Sequence, residues 1–297
     1  MNGIIIVDKH EGITSFGIVS KIRGILGQKK AGHTGTLDPM ATGVLPVMLG
    51  GATKFCELLP TRGKAYRAEL LLGVTTDTLD VTGVVLREKS VDVALTEVEA
   101  ALKGFVGRIS QVPPMYSAVS KDGVRLYKLA RQGIEVEREA RQVEIYAANI
   151  LSADMDDHKI TIDVRCSAGT YIRSLAHDLG EALGCGAVLS ALRRTSANGF
   201  CDSGAKTVAQ IESIVKSGGA ESLIVPVDQA LAAYPEIQIT ANQSVRFRNG
   251  GALDAARLTG LRTDGLYRVY APDGVFLGLG EKKQDSGELS VKRGMRG

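Results

Sequence analysis

Tryptophan is absent from the 297-residue chain, and aromatic residues of all kinds make up only 5%. Any stacking against a flat ligand must therefore come from Tyr, Phe or His. The four cysteines, Cys56, Cys166, Cys185 and Cys201, form no C-x-x-C pair and have no His at zinc-ligand spacing. That argues against a disulfide framework or a structural zinc site and for reduced thiols. No apolar run is long enough to span a bilayer, so no membrane association is expected. The opening MNGIIIVDKHEG reaches Asp8 and Lys9 straight after its apolar residues. It reads as a first strand and not as a signal peptide, which fits a cytoplasmic protein. A large charge excess is missing too: 36 Lys+Arg against 33 Asp+Glu leaves only +3. A basic face, if there is one, must come from local clustering.

What is present is ordinary for a folded chain: 44% hydrophobic and 23% charged residues. The length suits two domains, or one large domain with a small appendage. A buried strand is expected at 4–7. Thr14 and Ser15 offer caps for a helix reaching about 26, with Ile18, Val19, Ile22, Ile25 and Leu26 on one face. A short helix is expected at 53–59, a strand at 65–72 and a neighbouring strand at 83–87. Thr96 with Glu99 suggests a capping box opening a helix. Residues 108–142 combine Pro113-Pro114, many charges and a helical piece at 124–132 stopped by Gly133; they read as a protruding element. Strands are expected at 144–151 and 160–166, a helix at 171–183 ending at Gly184, a strand at 187–194 and a helix at 208–215. After the prolines at 226 and 235 come short strand-like pieces (237–240, 266–271, 275–280) parted by Gly and Asp, the pattern of a small β-barrel-like domain.

Residues 31–54 read AGHTGTLDPMATGVLPVMLGGATK. A His, two Thr and an Asp are packed between glycines and run into the apolar segment Val44-Leu45-Pro46-Val47-Met48-Leu49. A polar loop mounted on a buried strand is a common way to build a catalytic site. Asp38 sits in its middle, biased away from helical backbone angles by Pro39. On its own a D-P dipeptide reads as a turn.

The stretch GHTGTLDPMATGVLPVMLGGATK resembles the catalytic motif of the TruB family of tRNA pseudouridine synthases. Further resemblance lies at 111–135, at 166–194 and after 235. It implies an α+β protein with the pseudouridine synthase fold: a mixed, largely antiparallel sheet flanked by helices and loops. The implied division is a catalytic domain at 1–232, with an RNA-binding insertion at about 108–142, and a PUA RNA-binding domain at 235–297. RFRNGGAL and GLYRVYAPDGVFLGLGE are the segments that resemble PUA.

In that family the Asp of T-L-D-P is catalytic, so the resemblance assigns the role to Asp38. Arg173, in the G-T-Y-I-R segment with Tyr171, is implied to orient and ionise that carboxylate through two parallel hydrogen bonds. Tyr66, in GKAYRAELLLG, is implied to stack on the target base and to serve the proton step at C5; by itself it would be a strand residue in a core. Leu192, in LSALRRT, is implied to wall the pocket. His33 is implied to insert where the flipped base leaves its stack; by itself it reads as a hydrogen-bonded loop His. Tyr171 joins the substrate-binding set. Lys9, in VDKHEG, and Tyr116, in VPPMYSAVSKDG, are supporting residues. His10 stands where the family has proline, and Ser120 stands where it has lysine, with Lys121 one place later. Asp77 and Asp80 read as turn caps. RNA contacts are expected from Arg108, Lys121, Arg125, Lys128, Arg131, Arg138 and Arg141, and from Arg246, Arg248, Lys292, Arg293 and Arg296.

The implied reaction isomerises uridine to pseudouridine at position 55 in the T loop of tRNA, with no cofactor and no metal. The protein is expected to act on the T arm as a monomer without a protein partner. Three other readings remain open: a protein whose main task is helping tRNA to fold, a guide-dependent synthase within a larger complex, and a metal-dependent hydrolase using His33, Asp38, Asp77 and Asp80.

Overall fold

The computed structural model describes residues 1–60, 63–284 and 286–295. Strand β1 (Gly3–Lys9) leads through helix α1 (Ser15–Leu26) to β2 (Ala31–His33), β3 (Thr42–Leu49) and a 3-10 helix at Gly50–Leu58. Strand β4 (Lys64–Leu72) precedes a small hairpin, β5 (Val74–Thr76) and β6 (Val85–Glu88), then α2 (Leu95–Lys103) and β7 (Gly107–Gln111). A second small hairpin, β8 (Ser120–Lys121) and β9 (Val124–Arg125), runs into α3 (Leu126–Ala130). Next come β10 (Arg141–Asp154), β11 (Lys159–Cys166), α4 (Ile172–Ala182), β12 (Ala187–Ala197), β13 (Phe200–Cys201), β14 (Lys206–Thr207), α5 (Val208–Lys216) and α6 (Val227–Ala230). The last part holds β15 (Glu236–Gln238), α7 (Ala241–Arg248), β16 (Leu253–Asp254), β17 (Gly265–Tyr270), β18 (Phe276–Lys282) and β19 (Glu288–Gly294).

Ten strands form one sheet along the path β14-β1-β3-β12-β4-β11-β10-β7, with β2 beside β3 and β13 beside β12. All its pairings are antiparallel except β1 with β14 and β3 with β12. The continuous apolar runs of the central strands follow from burial on both faces. In β1, Ile4 and Ile6 enter one cluster with Val44, Met48 and Phe55. Ile5 and Val7 enter another, with Leu45, Val47 and the α1 residues Ile18, Val19 and Ile22. On β4 the buried residues alternate (Tyr66, Ala68, Leu70, Leu72) and pack with Leu175 and Leu179 of α4. The α1 helix begins as its sequence suggests, with the Thr14 hydroxyl accepting from Gly17 N, and stops at Gly27 in the left-handed conformation.

Five more strands form a curled sheet in the order β15-β17-β18-β19-β16. Its two ends do not pair, so it is a half-barrel. It has its own core around Phe247, Tyr267, Val269 and Leu289. It also shares one: Leu279 lies fully buried in the cluster that holds Ile4, Phe55 and Val227, with Leu266, Phe276 and Met295 packed against it. The Phe55 and Phe276 rings meet at 5.8 Å.

Several element expectations need correction. The segment after Leu49 is a 3-10 helix starting at Gly50, ahead of the short helix expected from 53. The strand at Val85–Glu88 pairs with β5 and not with β4, whose two edges are taken by β11 and β12. The α2 cap is not Thr96 with Glu99: the Glu97 carboxylate accepts from Ala94 N at 2.8 Å, so the helix opens two residues earlier. The helical piece in 108–142 shrinks to Leu126–Ala130, where Leu126 is its one buried residue; so short a helix depends on that tertiary contact. Helix α7 went unread because its polar and basic residues show no apolar stripe. No helix among the described residues is long and apolar enough to cross a membrane.

Candidate active site

The loop between β2 and β3 is held mostly by its own carbonyl groups. Ser15, at the start of α1, donates to Leu37 O at 3.0 Å and accepts from Leu37 N at 2.8 Å. The Lys9 ammonium, fully buried at the end of β1, donates to His10 O, to Pro39 O at 3.1 Å and to Ala41 O. Arg194, fully buried on β12, donates to Gly35 O at 3.1 Å and to Thr36 O at 3.3 Å, with its Nε on Val44 O at 2.8 Å. Three side chains from three elements thus fix the backbone on both sides of Asp38. These bonds pair loop backbone groups that have no strand neighbour.

Asp38 itself is half-buried, with 34% of its side chain exposed. Its Oδ2 meets Arg173 Nε at 2.9 Å. The expected contact is present, but the guanidinium fork is not spent on Asp38 alone. Its Nη1 donates to Thr78 O at 2.9 Å and lies 3.6 Å from Asp80 Oδ2, and its Nη2 donates to Tyr116 O at 2.8 Å. One arginine, second residue of α4, therefore ties together the Asp38 loop, the turn at 78–80 and the segment at 116. The paired bidentate geometry read from the sequence is replaced by a three-way junction.

Asp80 is a turn residue, as read: its Oδ1 accepts from Thr78 Oγ1, Thr82 N and Thr82 Oγ1. It is also more, since its buried Oδ2 faces Arg173. Asp77 caps the same hairpin by accepting from Val84 N at 2.8 Å. Among the described residues no three His, Cys, Asp or Glu side chains gather into a metal-binding set.

The remaining expected residues surround this loop unevenly. Tyr66 is 5% exposed and Leu192 7% exposed, and both join the core cluster that contains Leu37 and Ala41. Tyr171 caps α4 through its backbone: its N donates to Gln111 Oε1 at 3.0 Å and its O accepts from Gln111 Nε2 at 3.2 Å. Tyr116 touches the junction through its carbonyl. His33 ends β2 half-buried, and its Nδ1 is enclosed without a hydrogen-bond partner. Of the residues expected to meet RNA, Arg108, Lys121, Arg125, Lys128, Arg131 and Arg141 are exposed. Arg138 is half-buried and engaged with Glu135 and Pro113 O. Arg246, Arg248, Lys292 and Arg293 are exposed on the C-terminal unit; Arg296 lies outside the described residues. Ser120 and Lys121 form an exposed hairpin strand.

The electrostatics follow from burial among cations. Desolvation pushes the Asp38 carboxyl above its ordinary value, with Arg173 pulling it back. Burial lowers Lys9 to about 8 despite Asp38 beside it. Burial and then Arg194 lower His33, which favours its neutral form. Burial raises Tyr66 to about 12, opposed by Arg194. Lys64 is lowered by burial and by Arg194.

Arg194, Ser15 and Gln111 were not singled out as site residues by sequence reasoning. For Arg194 a signal existed: it shares strand parity with Leu192, so it points inward if Leu192 does. Its neighbour Arg193 points the other way and pairs with Asp8 at 3.0 Å.

Comparison with known proteins places this arrangement. Residues 23–172 match the model of the TruB family pseudouridylate synthase N-terminal domain. Residues 173–232 match the tRNA pseudouridylate synthase B C-terminal domain, and 235–295 the C-terminal model of pseudouridine synthase II TruB. The chain is similar to tRNA pseudouridine synthase B of Clostridium perfringens, at 43% identity over 97% of this chain and 98% of that one. It is similar to the same-named protein of Stutzerimonas stutzeri, at 44% identity over 100% of this chain and 96% of that one. Among solved structures it resembles a chain of a Cbf5–Nop10–Gar1 complex, with TM-score 0.76 and 28% identity, covering 99% of this chain and 85% of that one.

Proposed function

The chain belongs to the TruB family of pseudouridylate synthases, and from that premise we propose that it isomerises uridine 55 in the T loop of tRNA with Asp38 as the catalytic residue. That it isomerises uridine to pseudouridine in tRNA follows from the family; the position and the residue roles are our reading. The observation that carries the reading is the Asp38–Arg173 contact on a loop whose neighbouring carbonyls are all held in place.

The reaction breaks the bond between C1′ and N1, turns the uracil and rejoins it through C5. No electrons leave or enter, so the chemistry asks for an anionic group beside C1′ and a wall that retains the free base. Asp38 attacks or assists at C1′. Arg173 keeps that carboxylate ionised and aimed against the desolvation that opposes ionisation. Tyr66 and Leu192 hold the uracil, with Tyr66 placed for the proton that leaves C5, and Tyr171 completes the base site. A base cannot reach Asp38 inside a stack, so it is flipped out, and neutral His33 fills the gap it leaves. Lys9 and Tyr116 act through the backbone they hold or offer. The exposed arginines and lysines of 108–141 and of the C-terminal sheet engage phosphates. The enzyme acts as a monomer and without a protein partner, at domain divisions near 232–235.

The test is tritium release from C5-tritiated uridine in an unmodified tRNA transcript, with purified protein and EDTA. Stoichiometric release is expected, lost when uridine 55 is replaced by cytidine and lost in Asp38→Asn with tRNA affinity kept. Turnover of Asp38→Asn at the wild-type rate would overturn the catalytic assignment. Release from the cytidine-55 transcript would overturn the position.

A further inference from the structure

Arg194 is the largest side chain the fold buries completely. It has no carboxylate partner among the described residues: no salt bridge there involves it, and its three hydrogen bonds go to the carbonyls of Gly35, Thr36 and Val44. A buried guanidinium without a counter-ion is costly, and an apolar side chain of similar volume would be the more stable occupant of such a place. The cation needs another reason to be there.

The sheet register supplies one. Arg194 of β12 lies directly opposite Tyr66 of β4, and on its other side opposite Gly43 of β3. Across that register its guanidinium faces the Tyr66 phenol. The other charged or titratable groups near that phenol are Cys166 of β11 and Asp38 itself; Lys64, on the same strand as Tyr66, lies within the field of Arg194. A guanidinium offers only N–H donors. A phenol facing it turns an oxygen lone pair toward it, which fixes the orientation of the hydroxyl.

We infer that Arg194 is a positioning residue for the isomerisation, a single rigid plane that ties the ring of Tyr66 to the loop carrying Asp38 and sets how the phenol is oriented. The inference rests on the reading that Asp38 drives the reaction and Tyr66 faces the base. Arg194 touches neither the base nor the sugar; it acts through both partners at once. Carbon–nitrogen cleavage at Asp38 and proton loss at Tyr66 then occur in parts whose spacing is set by one side chain. On the other side of β12, Gly43, with φ +99°, lets β3 approach so closely that a Cβ there would collide with the backbone of residue 194, whatever its side chain.

Arg194→Lys keeps the charge but loses the planar fork, and Arg194→Gln keeps donors but loses the charge. Both are assayed for melting temperature, tRNA affinity and the single-turnover rate of C5 tritium release, alone and combined with Tyr66→Phe. Asp38→Asn runs as a control. The expected result is tRNA affinity within about threefold of wild type with a rate lowered about a hundredfold. Adding Tyr66→Phe should then cost much less than it does in the wild-type background, because the ring is already uncoupled. A rate near wild type in either variant, full additivity with Tyr66→Phe, or loss of fold in both variants would overturn the inference. Loss of fold would make Arg194 a residue of stability alone. The control separates the two readings: an active Asp38→Asn defeats the catalytic assignment, whereas an inactive one beside a fully active Arg194→Lys defeats only the positioning role.

Discussion

Asp38 is penalised by the place that holds it. Burial raises its native carboxyl above the 3.8 of the unfolded chain. The ionised form therefore costs stability once pH passes 3.8, and the whole cost is present above the native value. Asp38→Asn removes that charge, while Arg173 keeps Thr78 O, Tyr116 O and Asp80. The variant is expected to melt no lower than wild type at neutral pH, with any gap closing as pH falls toward 3.8; calorimetry across that range checks it. Lys9 carries the opposite sign. Its native value near 8 lies below the 10.5 of the free group, so its charge is a cost up to about 8 that is relieved between there and 10.5. In that window the amine loses one of the donors on which His10 O, Pro39 O and Ala41 O depend. The kcat/KM profile should fall above about 8, and Lys9→Arg should remove that limb; an unchanged limb in Lys9→Arg would place the ionisation elsewhere. Asp38 was legible because a long motif carries it, and Arg173 because it stands in a separate G-T-Y-I-R segment. The junction at Asp80, Thr78 and Tyr116 was not, because nothing local tells an arginine which of several acceptors, up to 95 residues away, the fold will bring to it.

At the scale of elements, the two central strands show where pattern reading succeeds and where it stops. Residues 4–7 and 44–49 announce themselves as strands because both of their faces are buried. Pairing is another matter. Residues 83–87 look like a partner for β4, yet β4 already has β11 and β12 as neighbours, 88 residues or more along the chain. Local alternation encodes a strand's faces and leaves its edges unspecified. Gly43 makes the point testable. It sits where β3 meets β12 in parallel, at φ +99°, against the backbone of Arg194. Gly43→Ala should therefore destabilise the protein by about 3 kcal/mol or more, through both strain and collision. Urea denaturation measures it, and a loss under about 1 kcal/mol would show that the two strands yield easily.

Taken whole, the described residues form two large sheets, with two small hairpins beside them, and one cluster shared by the large pair. Leu279 of the half-barrel is as deeply buried among Ile4, Phe55 and Val227 as any residue of the large sheet's own core. Leu279→Ala should cost about 2–5 kcal/mol and shift a single unfolding transition to lower denaturant, with both sheets lost together. Two separated transitions would mean that the sheets fold independently. The change of texture after residue 226 was visible in the sequence, and its short strands announced a small barrel-like unit, which the structure leaves open as a half-barrel. The shared cluster was not visible, since Leu277 and Leu279 alternate with glycine in a strand that would read the same with one face in solvent.

That cluster works as a weld. With Phe276 and Leu279 sunk against Phe55 and Ile4, the half-barrel's bearing on the large sheet is set when the chain folds. The exposed Arg246 and Arg248 are therefore carried on a face whose orientation belongs to the fold and not to a swinging linker.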